Sequence, residues 1–481
     1  MSDAGKRKEA VADELAAIEL GDSRLNFRAR SASGRLAMNP ALSFPEALAT
    51  EADLEGFYRL VRNKKVTAEA ILAPHQQATV ARVAEHGTVL AVHDSTEFVF
   101  GGESRRDMGV VKQAGTKLHG HFCLAVSADG HRDPLGVLAT KTWTRDGGPT
   151  PSSLRKKGTP YAEVRAMPSE YARWRELIDE AEARVDGKAS LIHVMDSESD
   201  DYDLMCHLKD ANYRFLLRAC RERKLDAAGT GSIPGEKLRQ FVARAEIRAV
   251  REVKLSRRNT RHVAGITAKR DLPRDKRTAT LEFAATTVTI ARTVYAMKTL
   301  SPSVSVNVVS VKEKDAPEDM EPVDWLLFTS EPIDTEQQIL QIVDLYRARW
   351  TIEEYFKAIK TGCVFEARQL ESKATIVKAL ALFIPVAWVL LRMRTASRSP
   401  KKASILTVLS LAQITVLKKE TGIPLRKNSS AAEAYLAVAR LGGHIKNNGP
   451  PGWQVLGRGY AKLLTLEAGF KIGRSETCDQ W

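Results

Sequence analysis

Cysteine is scarce and poorly placed for either of its usual structural uses. The five cysteines, Cys123, Cys206, Cys220, Cys363 and Cys478, are scattered, odd in number and form no Cys-x-x-Cys pair. A disulfide scaffold and a zinc ribbon are thereby set aside, and a reducing, cytoplasmic setting is expected. Long hydrophobic runs are missing as well. The longest, Ala379 to Leu391, has thirteen residues and contains Pro385. It falls short of the roughly 20 residues that a membrane span needs, so no membrane is expected as a partner. The opening residues 1–9 lack the apolar stretch of a signal peptide. Gly101-Gly102 reads as a turn, and no Gly-x-x-x-x-Gly-Lys-Ser/Thr loop occurs, so ATP is not implied. No internal repeat or low-complexity tract breaks up the chain.

What the chain has is length, core-forming residues and basic charge. Its 481 residues exceed one ordinary core, and 43% hydrophobic with 27% charged residues is the composition of a folded, multidomain protein. Acids are the minority charge: 73 Lys and Arg face 59 Asp and Glu, a net +14. The expected partner is a polyanion, with nucleic acid first. The excess is local. Lys237 to Arg277 holds 14 Lys/Arg against 4 Asp/Glu.

The N-terminal residues read as helical. Ala10 to Leu20 is amphipathic, Gly21 interrupts, and Asp22 caps a helix bearing Arg24, Arg28, Arg30 and Arg35. A third segment, Pro45 to Arg62, carries Tyr58, Arg59 and Arg62. Arginines at three- to four-residue spacing form a basic face able to follow a phosphate backbone, although a solvated surface gives the same pattern. From Thr88 short apolar runs replace helical periodicity. Val89 to Asp94 and Leu191 to Asp196 are buried-strand signals that each stop at an acid. Further strands are expected at Phe98–Phe100, Phe122–Val126, Leu135–Trp143, Tyr213–Arg218 and Trp325–Ser330, with helices between them. Val/Ile/Thr-rich runs make residues of about 219–320 a β-rich, basic insertion. The fold class is therefore α/β.

One helix carries the chemistry. Between Asp334, paired with Gln337 in a capping-box pattern, and Gly362, the residues Tyr346, Arg349, Glu353, Lys357 and Lys360 recur at intervals of three, four, four and three. Most helices devote such a stripe to apolar packing. Here it holds an acid among cations and a phenol, with Trp350, Ile352, Tyr355 and Phe356 around it. At 1.5 Å per residue Tyr346 and Lys360 are about 21 Å apart, so these groups line a surface. Asp94 and Asp196, at the ends of apolar strands, occupy the place where open α/β sheets put ligand-binding groups. Three carboxylates with few histidines favour Mg²⁺, with Mn²⁺ as a substitute, over zinc. Two such ions about 3.5–4 Å apart suit in-line phosphodiester displacement. Taken singly, each aspartate also reads as a turn or helix cap. His119-Gly-His121 puts two histidines on one strand face without a third ligand nearby, which reads as structural or backbone-contacting.

The series Tyr346-x-x-Arg349-x-x-x-Glu353-x-x-x-x-x-x-Lys360, after Asp94 and Asp196, resembles the Tyr-Arg-Glu-Lys signature of bacterial insertion-sequence DDE transposases, nearest the Tn-five (kanamycin transposon) type. Leu20 to Arg24, Phe57 to Asn63, Val66 to Ile71, Trp325 to Pro332 and Ala439 to Gly443 extend the resemblance over nearly the whole chain, while Leu25 and Ser197 depart from it. It implies a helical DNA-binding domain over 1–75 and a ribonuclease-H-like catalytic domain over 76–372 containing the β-rich insertion. A helical C-terminal dimerisation domain over 373–481 completes the layout. It also implies Asp94, Asp196 and Glu353 as catalytic metal ligands for two Mg²⁺ ions. Tyr346, Arg349, Lys357, Lys360 and Arg218 become DNA contacts, with Arg24, Arg28, Arg59 and Arg62 on the N-terminal helices. Trp325 takes the place of an aromatic that stacks on a flipped base if a DNA hairpin forms. The implied activity is cut-and-paste transposition by a homodimer on double-stranded transposon ends and target DNA. A non-catalytic DNA-binding regulator and a ribonuclease-H-like nuclease without strand transfer are the alternatives.

Overall fold

The structure, a computed structural model, describes residues 14–476 apart from 39, 49, 102–104, 106, 112–114, 145–169, 256–275, 295, 319, 321, 399–402 and 446–449. Arg257 to Arg274 of the basic run, most of the loops expected at 397–402 and 446–451, and the start of the first expected helix lie outside the described residues.

Ten strands form one sheet: β1 (Thr88–Phe100), β2 (Gly109–Val111), β3 (Gly115–Ser127), β4 (Pro134–Trp143), β5 (Ser190–Met195), β6 (Arg214–Arg218), β7 (Ile247–Leu255), β8 (Arg277–Ala291), β9 (Ser303–Glu313) and β10 (Asp324–Thr329). Their order is β2–β3–β1–β5–β6–β10–β9–β8–β7, with β4 also on β3. Only β1–β5 and β5–β6 pair in parallel. The strands of the expected insertion are not a separate body. Through β10, which pairs with both β6 and β9, they continue the central sheet.

Asp94 does not end its strand. β1 pairs in parallel with β5 only as far as Val92, but its antiparallel partner β3 carries it on from Asp94 opposite Phe122 to Phe100 opposite Thr116. The run separately expected at Phe98–Phe100 is the same strand. Asp94 thus stands where parallel pairing stops and antiparallel pairing continues. Asp196 directly follows β5 and caps the turn Ser197–Ser199, accepting the N–H of Glu198.

The N-terminal part is helical: α1 (Ser23–Met38), a short helix at Phe44–Leu48, α2 (Glu51–Arg62) and α3 (Ala68–Val83). Asp22 accepts the N–H of Arg24 at the start of α1, as its capping role requires. A domain boundary at residue 75 falls inside α3, whose buried His75 and Thr79 face β4. The N-terminal helices are docked by buried cations. Arg368 donates to the carbonyls of Pro40 and Leu42, and Lys378 donates to that of Asn63 at 2.7 Å. On the sheet lie α4 (Glu170–Val185) and α5 (Tyr202–Asp210), and across it run α6 (Glu336–Arg347) and α7 (Trp350–Lys357).

The single long helix expected from Asp334 to Thr361 is broken in two. Its capping box is Thr335 with Gln338, one residue later than expected. At Ala348–Arg349 the hydrogen bonds shorten to three-residue spacing, Arg349 N–H to Tyr346 and Ile352 N–H to Arg349. After α7 the backbone widens into a π-turn over Ala358–Gly362. Packing accounts for the break. α6 lies on β6–β9, whereas α7 lies on β1, and the joint lets one chain follow two parts of a twisted sheet.

The C-terminal part comprises α8 (Lys373–Arg398), α9 (Leu411–Thr421), α10 (Ala431–Leu441) and α11 (Trp453–Glu476). By length and composition α8 passes for a membrane span, yet 83% of its most apolar window is buried inside the protein. It touches α1, α2, α3, β4, α7, α10 and α11, the packing of a core helix. α10 and α11 cross at glycine. A Cβ on Gly459 would lie 1.9 Å from the carbonyl oxygen of Val438, and one on Gly442 would lie 2.0 Å from that of Val455. Gly459→Ala is therefore expected to destabilise by about 2–3 kcal/mol through overpacking against backbone that has nowhere to move. Gly469→Ala, on the same helix with open space at its Cβ, is expected to stabilise by about 0.5–1 kcal/mol through helix propensity. Thermal midpoints of the two variants should move in opposite directions.

Candidate active site

The three acids singled out from sequence meet around Arg349 at the joint of α6 and α7. Arg349, 9% exposed, sits at that joint and spans two carboxylates. One nitrogen donates to Asp94 at 2.8 Å and another to Glu353 at 2.7 Å. Burial pushes the Asp94 carboxyl up to about 7; the charges of Asp196 and Glu353 add to this, and Arg349 and the Ser95 N–H oppose it. Asp196 is also raised by burial, against the Glu198 N–H, Arg349 and Arg218. Arg349 loses by burial but is held charged by Asp94, Tyr346 and Glu353. Three half-buried carboxylates, one from β1, one from the end of β5 and one from α7, therefore share the field of one guanidinium.

Tyr346, Arg218 and Trp325 close one side. The Trp325 and Tyr346 rings meet edge to face with centroids 5.7 Å apart, and the Arg218 guanidinium lies 5.9 Å over Trp325. Burial pushes the Tyr346 phenol up to about 12, with Arg349 and Arg218 pulling the other way, so it stays a neutral donor.

Lys357 and Lys360 go elsewhere. Lys360 donates to the Glu97 carbonyl at 2.6 Å and lies 5.6 Å from the Phe98 ring, further along β1. Lys357 pairs with Glu354, which Arg394 and Arg398 of α8 also approach. The N-terminal arginines are not brought to the cluster. Arg24 pairs with Asp22, Arg59 with Glu55, and Arg62 with Glu371 while stacking on Tyr58; all three are more than half exposed. Arg28 is half-buried on α1.

Two features escaped the sequence reading. Asp200, fully buried, accepts the N–H groups of Cys220 and Arg221 at 2.8 and 2.7 Å and pairs with Arg223. It ties the turn after Asp196 to the chain following Arg218. The dense acids of residues 196–201 and the arginines of 218–223 were its only signal. The second is a set of buried histidines behind β1. His93 bonds His193 at 2.9 Å, and His193 bonds Glu182 at 2.9 Å. Their alternation with Asp94 reflects strand geometry.

Among the described residues no three His, Cys, Asp or Glu side chains are arranged as a ready-made metal cage. The donor chemistry nonetheless suits a hard cation. Asp94 is pushed up partly by its acidic neighbours, and Arg349 already supplies positive charge between two of the three.

Residues 7–66 match the family described as transposase DNA-binding, and residues 163–386 match the transposase DDE domain. The chain thus carries the DNA-binding and DDE domains of a DDE-type transposase, with DNA as its partner and a ribonuclease-H-like core implied by the DDE match. Asp196 and Glu353 lie within that match, and Asp94 precedes it.

Proposed function

We propose that this protein is a cut-and-paste DNA transposase of the Tyr-Arg-Glu-Lys, Tn-five type. It would hydrolyse a phosphodiester at each transposon end, by way of a DNA hairpin, and join the freed 3′-hydroxyl to target DNA. The observation that supports it is the convergence of Asp94 and Glu353 on Arg349, with Asp196 alongside, at the end of the β1–β5 pairing. Asp94, Asp196 and Glu353 would hold two Mg²⁺ ions. Bound there, a divalent cation would supply Lewis acidity to the attacking and leaving oxygens. Arg349, Arg218 and Tyr346 would offer donors to the phosphate, and Trp325, beside Tyr346 and Arg218, would stack on an unpaired base. Lys360 would meet the strand further along β1. The N-terminal arginines would grip duplex DNA, and the α9–α11 helices would join two copies on paired ends.

Purified protein, Mg²⁺, labelled end DNA and a supercoiled target plasmid test the reading together. Joined product is expected. Cuts without joining would establish the nuclease alternative, and binding without cuts the regulator.

A further inference from the structure

One side of α1 is packed and the other is open. Asn26, Ala29, Ser33, Leu36 and Ala37 are buried, and the helix rests on α2, α8 and α11. Arg24, Phe27, Ser31 and Arg35 recur at three, four and four residues along the other side, with Arg28 beside them. Phe27 is 67% exposed. It is the only exposed phenylalanine among the described residues. A lone apolar group on a surface is ordinary. This one stands inside a row of arginines, on a helix within the DNA-binding match, so its neighbours already favour one partner.

The arginines and the ring suit different parts of a duplex. Arg24, 83% exposed, pairs with Asp22 at 3.3 Å, an exposed ion pair weak enough for a phosphate to displace. Arg35 pairs with Asp53 at 2.9 Å, and Arg28 has no ion-pair partner among the described residues. Such cations hold DNA by its phosphates, and phosphate contacts position a protein without reading sequence. A phenyl ring has no hydrogen bond to give a phosphate or a polar base edge. In the major groove the apolar feature of a base edge is the 5-methyl group of thymine. That groove, about 12 Å wide, admits an α-helix. Ser31 and Gly34, one to two turns on, are short, and nothing lies within 4 Å of where a Cβ on Gly34 would stand. A duplex can therefore come close enough for the ring to touch base edges.

We propose that Phe27 is a specificity-determining residue, reading the methyl group of a thymine in the major groove of the transposon end. This rests on the transposase reading, and it adds base recognition to the grip of the arginines.

The probe is a duplex enriched from a randomised pool by the wild-type protein, then rebuilt with deoxyuridine in place of each thymidine in turn. Uracil pairs as thymine does and lacks only the methyl. At one position the change is expected to weaken wild-type binding about four-fold, the contribution of one buried methyl. Phe27→Ala should bind the two forms equally, and the duplexes it enriches should lose that thymine alone. Phe27→Leu should keep part of the preference. Arg28→Ala should weaken every duplex alike and lower the salt slope by about one, a slope that Phe27→Ala leaves unchanged. Thermal midpoints matching wild type will show that the variants are folded. Uracil tolerated by wild type at every position, or a methyl preference that survives Phe27→Ala, overturns the assignment of Phe27 alone. So does wild-type binding that enriches no sequence. A change of oligomeric state in Phe27→Ala with the thymine preference intact overturns it too, placing the ring in a protein contact. A wild-type protein that binds no DNA overturns the transposase reading and this inference with it.

Discussion

Glu353→Gln is expected to lower strand cleavage by about three orders of magnitude or more while binding of end DNA changes only a few-fold. Gln keeps the shape of the side chain and its contact with Arg349 but removes the charge, so the loss reports the carboxylate itself. Phosphoryl transfer offers a protein little covalent chemistry. Positioning and charge stabilisation supply the rate, and removing a group that does both leaves no substitute. Asp94→Ala and Asp196→Ala should have effects of the same size. In Asp94→Ala the Arg349 guanidinium also loses one of its two carboxylate partners, so this variant should additionally be less heat-stable than Glu353→Gln. Gel assays of nicking and filter or shift assays of binding, run on the same preparations, separate the two functions. Full cleavage by any one of the three variants would sink the proposed mechanism.

Glu14→Ala is expected to cost about 3–5 kcal/mol of stability, because it breaks a buried charge network and leaves its partners unpaired. Glu14 is fully buried. His75 Nε2 accepts the N–H of Val137 at 3.1 Å, so Nδ1 carries the proton and donates to one Glu14 oxygen. Arg82 takes the other oxygen at 2.5 Å, lies 4.1 Å over Trp388 of α8 and donates to the Leu135 carbonyl. One carboxylate thereby links the start of the DNA-binding segment to α3, β4 and α8.

Burial alone would raise Glu14, but the His75 hydrogen bond, with the charge and hydrogen bonds of Arg82, brings it from 4.5 down to about 2. A carboxylate depressed on folding contributes stability above its unfolded value and loses it as pH falls through the folded one. Its contribution, roughly 3 kcal/mol, should be complete above about pH 5 and fade between 4.5 and 2. In urea titrations at pH 6 and pH 3, the gap between wild type and Glu14→Gln should narrow at the lower value. A gap independent of pH would exclude this account.

The sequence carried the parts of the site that rest on local pattern. Two apolar runs, each followed by an acid, located Asp94 and Asp196, and helical spacing placed Tyr346, Arg349 and Glu353 on one side of their element. Relations across the chain were not legible. Arg349 and Asp94 are 255 residues apart, and their ion pair depends on α7 lying on β1. Asp94 looked like a strand end because its pairing with β3 leaves no mark in β1 itself. The break at Ala348–Arg349 contains neither Gly nor Pro, so composition gave no breaker and the cause lies in the sheet beneath. Lys357 fits the stripe by arithmetic, but the acid at Glu354 draws its ammonium toward the arginines of α8.

The DDE match ends at residue 386, midway along α8. That helix is built from residues suited to lipid and is kept from water by helices on either side of it in the chain. Its wrapping makes the amino-terminal and carboxy-terminal parts joint custodians of one greasy rod. A unit cut back to the DDE match would lay the apolar faces of α8 open to water, so the flanking helices serve its solubility as well as its chemistry.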